Sequence, residues 1–288
     1  MKILVIGANG QLGTDLVSSL PQAGHEVIPA TRETLDIRYP DQAKRALEKS
    51  QPGLVINTAA FHNVELCEDE PAEAMLVNGT AVGALARECS QRGCKLLHIS
   101  TDFVFGGEKR TPYKETDATN PLSAYAKSKL EGEKQVQAAG PQHLIVRTCG
   151  LFGHAGSKTR HGNFVEKMIK GASAGHELRV VSDKIATPTA TADLVPAMAQ
   201  LIAHNASGIY HITNEGECSW HEYAQEAVRL SGSPAIVTSV TSAEFRTKAQ
   251  RPAYSVLSKE KLYALGVPRM RHWKSALEQY VKMRFEQD

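Results

Sequence analysis

Residues 3–13 read ILVIGANGQLG, an apolar run that passes at once into three glycines, Gly7, Gly10 and Gly13. No other stretch limits the possible folds as strongly. A G-x-x-G-x-x-G turn between a buried strand and a helix lets the backbone approach a pyrophosphate without interference from a Cβ. The helix amino terminus behind it offers free N–H groups and a partial positive charge. A glycine triplet alone is weak, and a merely tight β–α turn would also use it. Here the strand before it and the amphipathic helix after it supply the context that points to a dinucleotide site.

The same alternation continues. Short runs rich in Val, Ile and Leu recur at 3–6, 26–29, 54–57, 95–100 and 144–147, separated by helical patterns at 11–20, 40–49, 71–91 and 120–139. Strands that are apolar throughout, rather than at every second residue, suit a parallel sheet covered on both faces. The expected class is therefore α/β, a doubly wound parallel sheet of Rossmann-like form. After Arg147 the loops lengthen, with helices at 164–174, 191–204, 219–231 and 273–285 around brief strands at 178–181 and 209–212. This predicts a smaller mixed α/β substrate-binding lobe over the sheet's carboxyl edge. Residues 1–150, with 184–207 returning to them, form the expected dinucleotide-binding domain, and 151–183 with 208–288 the lobe.

Composition narrows the partners. The 288 residues carry 33 basic and 31 acidic side chains, interspersed, for a formal charge of +2, so neither nucleic acid nor a membrane surface is an expected partner. Five cysteines without a C-x-x-C pair suggest reduced thiols, and no apolar run approaches a membrane span, so a cytoplasmic protein is expected. The eleven histidines show no H-E-x-x-H or clustered ligand spacing, so no metal is expected.

The second strand ends in Thr31-Arg32 rather than in an acid. An arginine there suits a 2′-phosphate, which favours NADPH; Asp36 a few residues on keeps NADH open. The fourth strand runs into Ser100-Thr101-Asp102, where a parallel sheet opens onto its ligand crevice. The next helix carries Tyr125 and Lys129, four apart and on one face. Carbonyl reduction needs a hydride, a proton donor and a group to hold the carbonyl oxygen. Tyr125 is the expected acid, Thr101 the hydrogen bond to the substrate oxygen, and Lys129 both the cation that lowers the phenol's pKa and the holder of the nicotinamide ribose. Taken alone, Y-x-x-x-K would read as a solvated helix face. The glycine turn and the Ser-Thr-Asp strand end give it meaning.

Together these segments resemble the extended short-chain dehydrogenase/reductases, and within them the dTDP-4-dehydrorhamnose reductase family. The resemblance is carried by GANGQLG, VINTAAFHNVELCEDEP, ISTDFVFGG, YKETDATNPLSAYAKSKLEGE, DKIATPT, GIYHITNEGECSWHEYA and RPAYSVL. It implies cofactor contacts at Gly10, Gln11, Leu12, Asp36, Ile37, Ala59, Ala60 and Phe61, Thr101 and Asp102 at the substrate, and Tyr125 with Lys129 as the catalytic pair. It also implies a nucleotide-linked 4-keto-6-deoxy sugar as substrate, with a homodimer as one open assembly state. Departures fall on the sugar side, where Phe103 stands in place of tyrosine, Gly150 in place of a stacking tryptophan, His62 in place of threonine and Tyr254 in place of asparagine. A different nucleotide sugar, a sugar-nucleotide epimerase or dehydratase of the same fold, and a non-catalytic cofactor-binding subunit stay as alternatives.

Arg251, next to a proline, is a candidate for the substrate's diphosphate, and Lys158, Arg160 and His161 lie in a glycine-bearing loop that could meet phosphates. Glu65, Glu68, Asp69 and Glu70 read as solvated surface before Pro71, and Trp220 and Trp273 as anchors of the smaller lobe's core.

Overall fold

The computed structural model describes residues 1–156 and 162–285. The first half alternates as β1 (Lys2–Ile6), α1 (Gln11–Ser19), β2 (Glu26–Ala30), α2 (Pro40–Ser50), β3 (Leu54–Asn57), α3 (Val64–Asp69), α4 (Pro71–Met75), a π-turn (Leu76–Thr80), α5 (Ala81–Gln91), β4 (Lys95–Thr101), α6 (Ala124–Ala139) and β5 (Leu144–Thr148). The strands stand in the order β2-β1-β3-β4-β5, all parallel. Every residue of β3 and β5 is buried, as a sheet covered on both faces requires. One face packs Leu12 and Leu16 of α1 against Ile3, Val5 and Ile56, and the other packs Leu47, Leu85 and Val136 against Leu4, Val55 and Ile145.

The second half continues as β6 (Leu151–Phe152), α7 (Phe164–Ser173), β7 (Leu178–Val181), β8 (Ile185–Ala186), β9 (Thr189–Ala190), α8 (Thr191–Ala203), β10 (Gly208–His211), β11 (Cys218–Ser219), α9 (Trp220–Leu230), β12 (Val237–Val240), α10 (Glu260–Ala264) and α11 (Trp273–Phe285). Residues 208–211, expected in the smaller lobe, instead form the sixth strand of the main sheet. β10 pairs in parallel with β5, because α8 lies over α1 and returns the chain along the sheet in a crossover. Beyond it, two-stranded pairings of β7 with β12 and β8 with β11 support α7, α9 and α11, whose apolar faces close on Trp273, Tyr223, Phe152 and Leu277. Trp273 is buried there as expected, while Trp220 is only partly buried at the border of two apolar clusters.

Two helices differ from their sequence pattern. The one expected from residue 120 begins at Ala124, because Pro121 disfavours helical geometry at Asn120 and the capping oxygen comes from Ser123, which accepts from the Ala126 N–H. Asn120 instead donates to Glu108 at 2.6 Å. The pattern over 71–91 is interrupted by the π-turn, which brings Asn78 inward to bond both backbone groups of Phe61 and the hydroxyl of Ser128.

Inside the layer between α6 and the sheet, Glu133 accepts a two-pronged bond from Arg147 at 2.9 and 2.6 Å, both side chains almost fully buried. Replacing Glu133 by leucine leaves a buried guanidinium uncompensated. The variant should lose about 3–5 kcal/mol of stability in urea denaturation.

Candidate active site

The glycine turn is a cradle that side chains would fill. Gly7 has φ +80°, and a Cβ on Gly13 would stand 2.1 Å from the Gly7 carbonyl oxygen. No side chain caps the start of α1, so its first N–H groups stay available to an anionic ligand. These features fit the diphosphate of a dinucleotide. Of the neighbouring positions, Leu12 and Ile37 bury their side chains in the core, which leaves their backbones for any ligand contact. Gln11 spans the two lobes, donating to the Leu151 carbonyl and accepting from Asn163. Ala59, Ala60 and Phe61 form the partly exposed turn after β3 that Asn78 pins.

Arg32 follows β2 with its side chain three-quarters exposed, and reaches Asp36 at only 3.4 Å. Asp36 is held by Arg38, which grips both its oxygens and also binds Glu73, and the Arg38 hydrogen bonds hold its pKa down to about 2. The carboxylate open to ribose hydroxyls is thus committed within the protein, while the Arg32 guanidinium faces solvent.

At the carboxyl end of β4, Thr101 donates to Asp102 at 3.0 Å and accepts from the Phe103 N–H at 3.2 Å. Asp102 is buried and also accepts from Ser255 at 2.5 Å and from the Cys149 thiol; burial nevertheless raises its pKa to about 6. The Tyr125 phenol is within hydrogen-bond reach of Thr101. Burial, reinforced by the Asp102 charge, pushes it well above the usual phenol range, with the Thr101 hydrogen bond opposing. The expected lowering by Lys129 is therefore corrected. Lys129 is buried with Nζ 2.6 Å from the Ile99 carbonyl and 3.2 Å from His98 Nε2, and burial brings its own pKa down to about 8. Tyr125, Thr101 and Asp102 share one edge, and Lys129 enters from beneath, one turn along α6.

On the sugar side, the Phe103 ring meets the Tyr125 ring edge-on at 6.3 Å, and Gly150 faces Pro188 and the tip of the Trp220 indole. Arg251 is engaged by Glu65 at 2.7 Å, and Lys248 by Asp69 at 2.6 Å. Glu68 accepts from the Ala124 N–H at the start of α6. The acidic run is therefore not idle surface: α3 latches the loop before Arg251 and caps α6. Lys158, Arg160 and His161 lie outside the described residues. Among the described residues, no group of three or more His, Cys, Asp or Glu could hold a metal ion. Sequence reasoning missed Arg38, His98, Cys149 and Ser255. Only Arg38, two residues after an acid, carried a local signal.

A parallel sheet with this glycine cradle and a tyrosine–lysine helix beside the end of β4 defines the extended short-chain dehydrogenase/reductase class. The family described as RmlD substrate binding domain matches residues 1–285, and the chain belongs to it. It is 43% identical to the spore coat polysaccharide biosynthesis protein SpsK of Bacillus subtilis over 98% of each chain. A dTDP-4-dehydrorhamnose reductase of Clostridium acetobutylicum superposes with a TM-score of 0.93 at 39% identity, covering 98% of this chain and 99% of that one. The Bacillus anthracis dTDP-4-dehydrorhamnose reductase solved in complex with NADP gives 0.91 at 33% identity, covering 97% and 98%.

Asp102 generates a pH dependence. Its folded pKa of about 6 lies above the ordinary 3.8, so the buried charge costs stability above pH 6, and that cost fades as pH falls toward 3.8. Relative to Asp102→Asn, the native protein should gain up to about 3 kcal/mol between pH 7 and pH 4. Parallel urea titrations at both pH values would show a constant difference if Asp102 were not so strained.

Proposed function

We propose that this chain reduces the 4-keto group of a dTDP-linked 4-keto-6-deoxy sugar, dTDP-4-dehydro-L-rhamnose, with NADPH. The observation that carries this reading is the Tyr125 phenol hydrogen-bonded with Thr101 at the edge where the glycine cradle would hold a dinucleotide. NADPH supplies a hydride when bound. Gly7, Gly10 and Gly13 would hold its diphosphate and Arg32 its 2′-phosphate, with Asp36, Ile37, Ala59, Ala60 and Phe61 lining its course. Lys129 would reach the ribose. Thr101 orients the sugar carbonyl oxygen, and Tyr125 gives its proton to that oxygen as charge develops there, after which solvent reprotonates the phenol.

Asp102 and Arg251 would meet the substrate, Arg251 by exchanging Glu65 for a diphosphate. Phe103 and Gly150 would shape the sugar pocket. An apolar ring directly after Thr101-Asp102, where a dehydratase would carry an acid, supports simple reduction. The domain division is proposed in corrected form: the sheet unit takes 1–150 and 191–211, and the lobe takes 151–190 and 212–288.

Purified protein should oxidise NADPH in the presence of dTDP-4-dehydrorhamnose, and silence with every nucleotide keto-sugar tried would remove the proposal. Tyr125→Phe should lower kcat by about 10²–10⁴-fold and spare cofactor affinity. In a fluorescence titration NADPH should bind more tightly than NADH, and Arg32→Ala should erase the preference; tighter NADH binding by the native protein would overturn the role of Arg32.

A further inference from the structure

Beneath the proposed site, buried polar groups that the reduction does not itself use run from the turn after β3 to Lys129. The Ala59 N–H donates to Asn57 Oδ1 at 3.1 Å, Asn57 Nδ2 stands 3.3 Å from His98 Nδ1, and His98 Nε2 stands 3.2 Å from Lys129 Nζ. Lys129 in turn donates to the Ile99 carbonyl at 2.6 Å. Asn57 and His98 have no exposed surface, and Lys129 keeps 2%.

The direction of every bond in this line follows from its first member. A backbone N–H can only donate, so Asn57 presents its oxygen to Ala59 and its NH₂ to His98. His98 Nδ1 must then accept, which places the ring hydrogen of the neutral imidazole on Nε2. That hydrogen points at Lys129 Nζ. An ammonium has no lone pair and would oppose donor to donor; a neutral amine accepts from His98 and still donates to Ile99.

We propose that Asn57 and His98 are positioning residues that fix His98 as the Nε2–H tautomer and thereby favour the neutral amine of Lys129 over its ammonium while it rests on His98. Charging Lys129 and detaching it from His98 are then one event. The ammonium forms by taking a proton from solvent as Nζ leaves for the ligand-bearing edge, and the line begins at Ala59, on the turn proposed to line the cofactor. The arrangement rests on the reductase reading for the role of Lys129, though the hydrogen-bond direction does not.

The reverse assignment is disfavoured by its consequences. If Lys129 were an ammonium donating to Nε2, His98 would carry its hydrogen on Nδ1 and Asn57 would have to flip. The Ala59 N–H would then face an NH₂ in a site closed to water. Burial also holds His98 neutral. The titratable and charged groups around Lys129 are His98 from β4, Tyr125 and Glu133 from its own helix, and Arg147 of β5, which is taken up by Glu133; the π-turn presents the neutral Asn78. Close approach is built in at Gly132, where a Cβ would stand 2.2 Å from the Asn78 carbonyl oxygen and 3.4 Å from His98 Nε2.

The test reads the tautomer directly, on the full-length protein with ¹⁵N-labelled histidine, by long-range ¹H–¹⁵N correlation, His98→Gln assigning the signal. The native protein should show His98 neutral with Nε2 protonated at neutral pH. An Nδ1–H tautomer or an imidazolium would overturn the proposal. Asn57→Asp places an acceptor opposite Nδ1 and should switch His98 to Nδ1–H; an unchanged tautomer would also overturn it.

In turnover, His98→Leu removes the donor that favours the neutral amine of the free enzyme, so the basic limb of the kcat/KM profile should move up by about one pH unit or more. His98→Gln, whose amide can still donate, should return it toward the native position, and an unmoved limb in His98→Leu would count against the proposal. Failure of the two readings separates cleanly. An Nε2–H tautomer without any keto-sugar reduction would sink the reductase reading alone, and reduction with an Nδ1–H tautomer would sink this one alone.

Discussion

Helix α6 turns a lysine and a glutamate, one turn apart, into the layer between itself and the sheet. Lys129 and Glu133 are 2% and 1% exposed. A buried charge or polar group is costly unless it is paired or hydrogen-bonded, so each fixes what must lie opposite. Glu133 requires the Arg147 fork from β5, and Lys129 requires the Ile99 carbonyl and His98 from β4. Two adjacent strands therefore set the axial position and rotation of α6 more tightly than apolar packing would. Tyr125, one turn before Lys129, is delivered to the end of β4 by the same constraint.

The alternation of apolar runs made the sheet legible, because strands buried on both faces have few compositional solutions. Gly7 to Gly13 and the Tyr125–Lys129 spacing were legible for the same reason, since each pattern follows from a local backbone or helix geometry. What stayed hidden was long-range. Residues 208–211 look like a strand of the smaller lobe, and only the crossover through α8 shows that they complete the main sheet. Ser255 stands 153 residues from Asp102, and His98 carries no mark that separates it from an ordinary strand histidine. Glu65 and Glu68 read as surface because their partners, Arg251 and the Ala124 N–H, lie 186 and 56 residues away.

The two halves of the chain meet through polar groups rather than through a shared apolar core alone. Asn163 caps α7 and donates to both Gln11 and Tyr280, while Thr191, at the start of α8, donates to Asp15 of α1. Ser255 reaches under the end of β4 to Asp102. These bonds join the glycine-turn helix and the Ser-Thr-Asp strand end to the same second half. A movement of that half would disturb the proposed cofactor cradle and the proposed substrate contacts together.

Burial acts on Tyr125 and Lys129 in opposite directions of pKa and in the same direction of charge. The phenol is pushed up and the amine down, so the folded site favours two neutral groups over a phenolate–ammonium pair. Asp102 strengthens this on the phenol side, since a phenolate beside a carboxylate would add like charge in a desolvated corner. A tyrosine held this way is present as the protonated phenol at neutral pH and gives up its proton only to a strong base such as a developing alkoxide. In the proposed reduction, the charge-separated arrangement becomes favourable only when a developing alkoxide accepts the phenol's proton and Lys129 approaches the phenolate left behind. The protonation state that the site favours thus follows from the same desolvation that fixes α6 against the sheet.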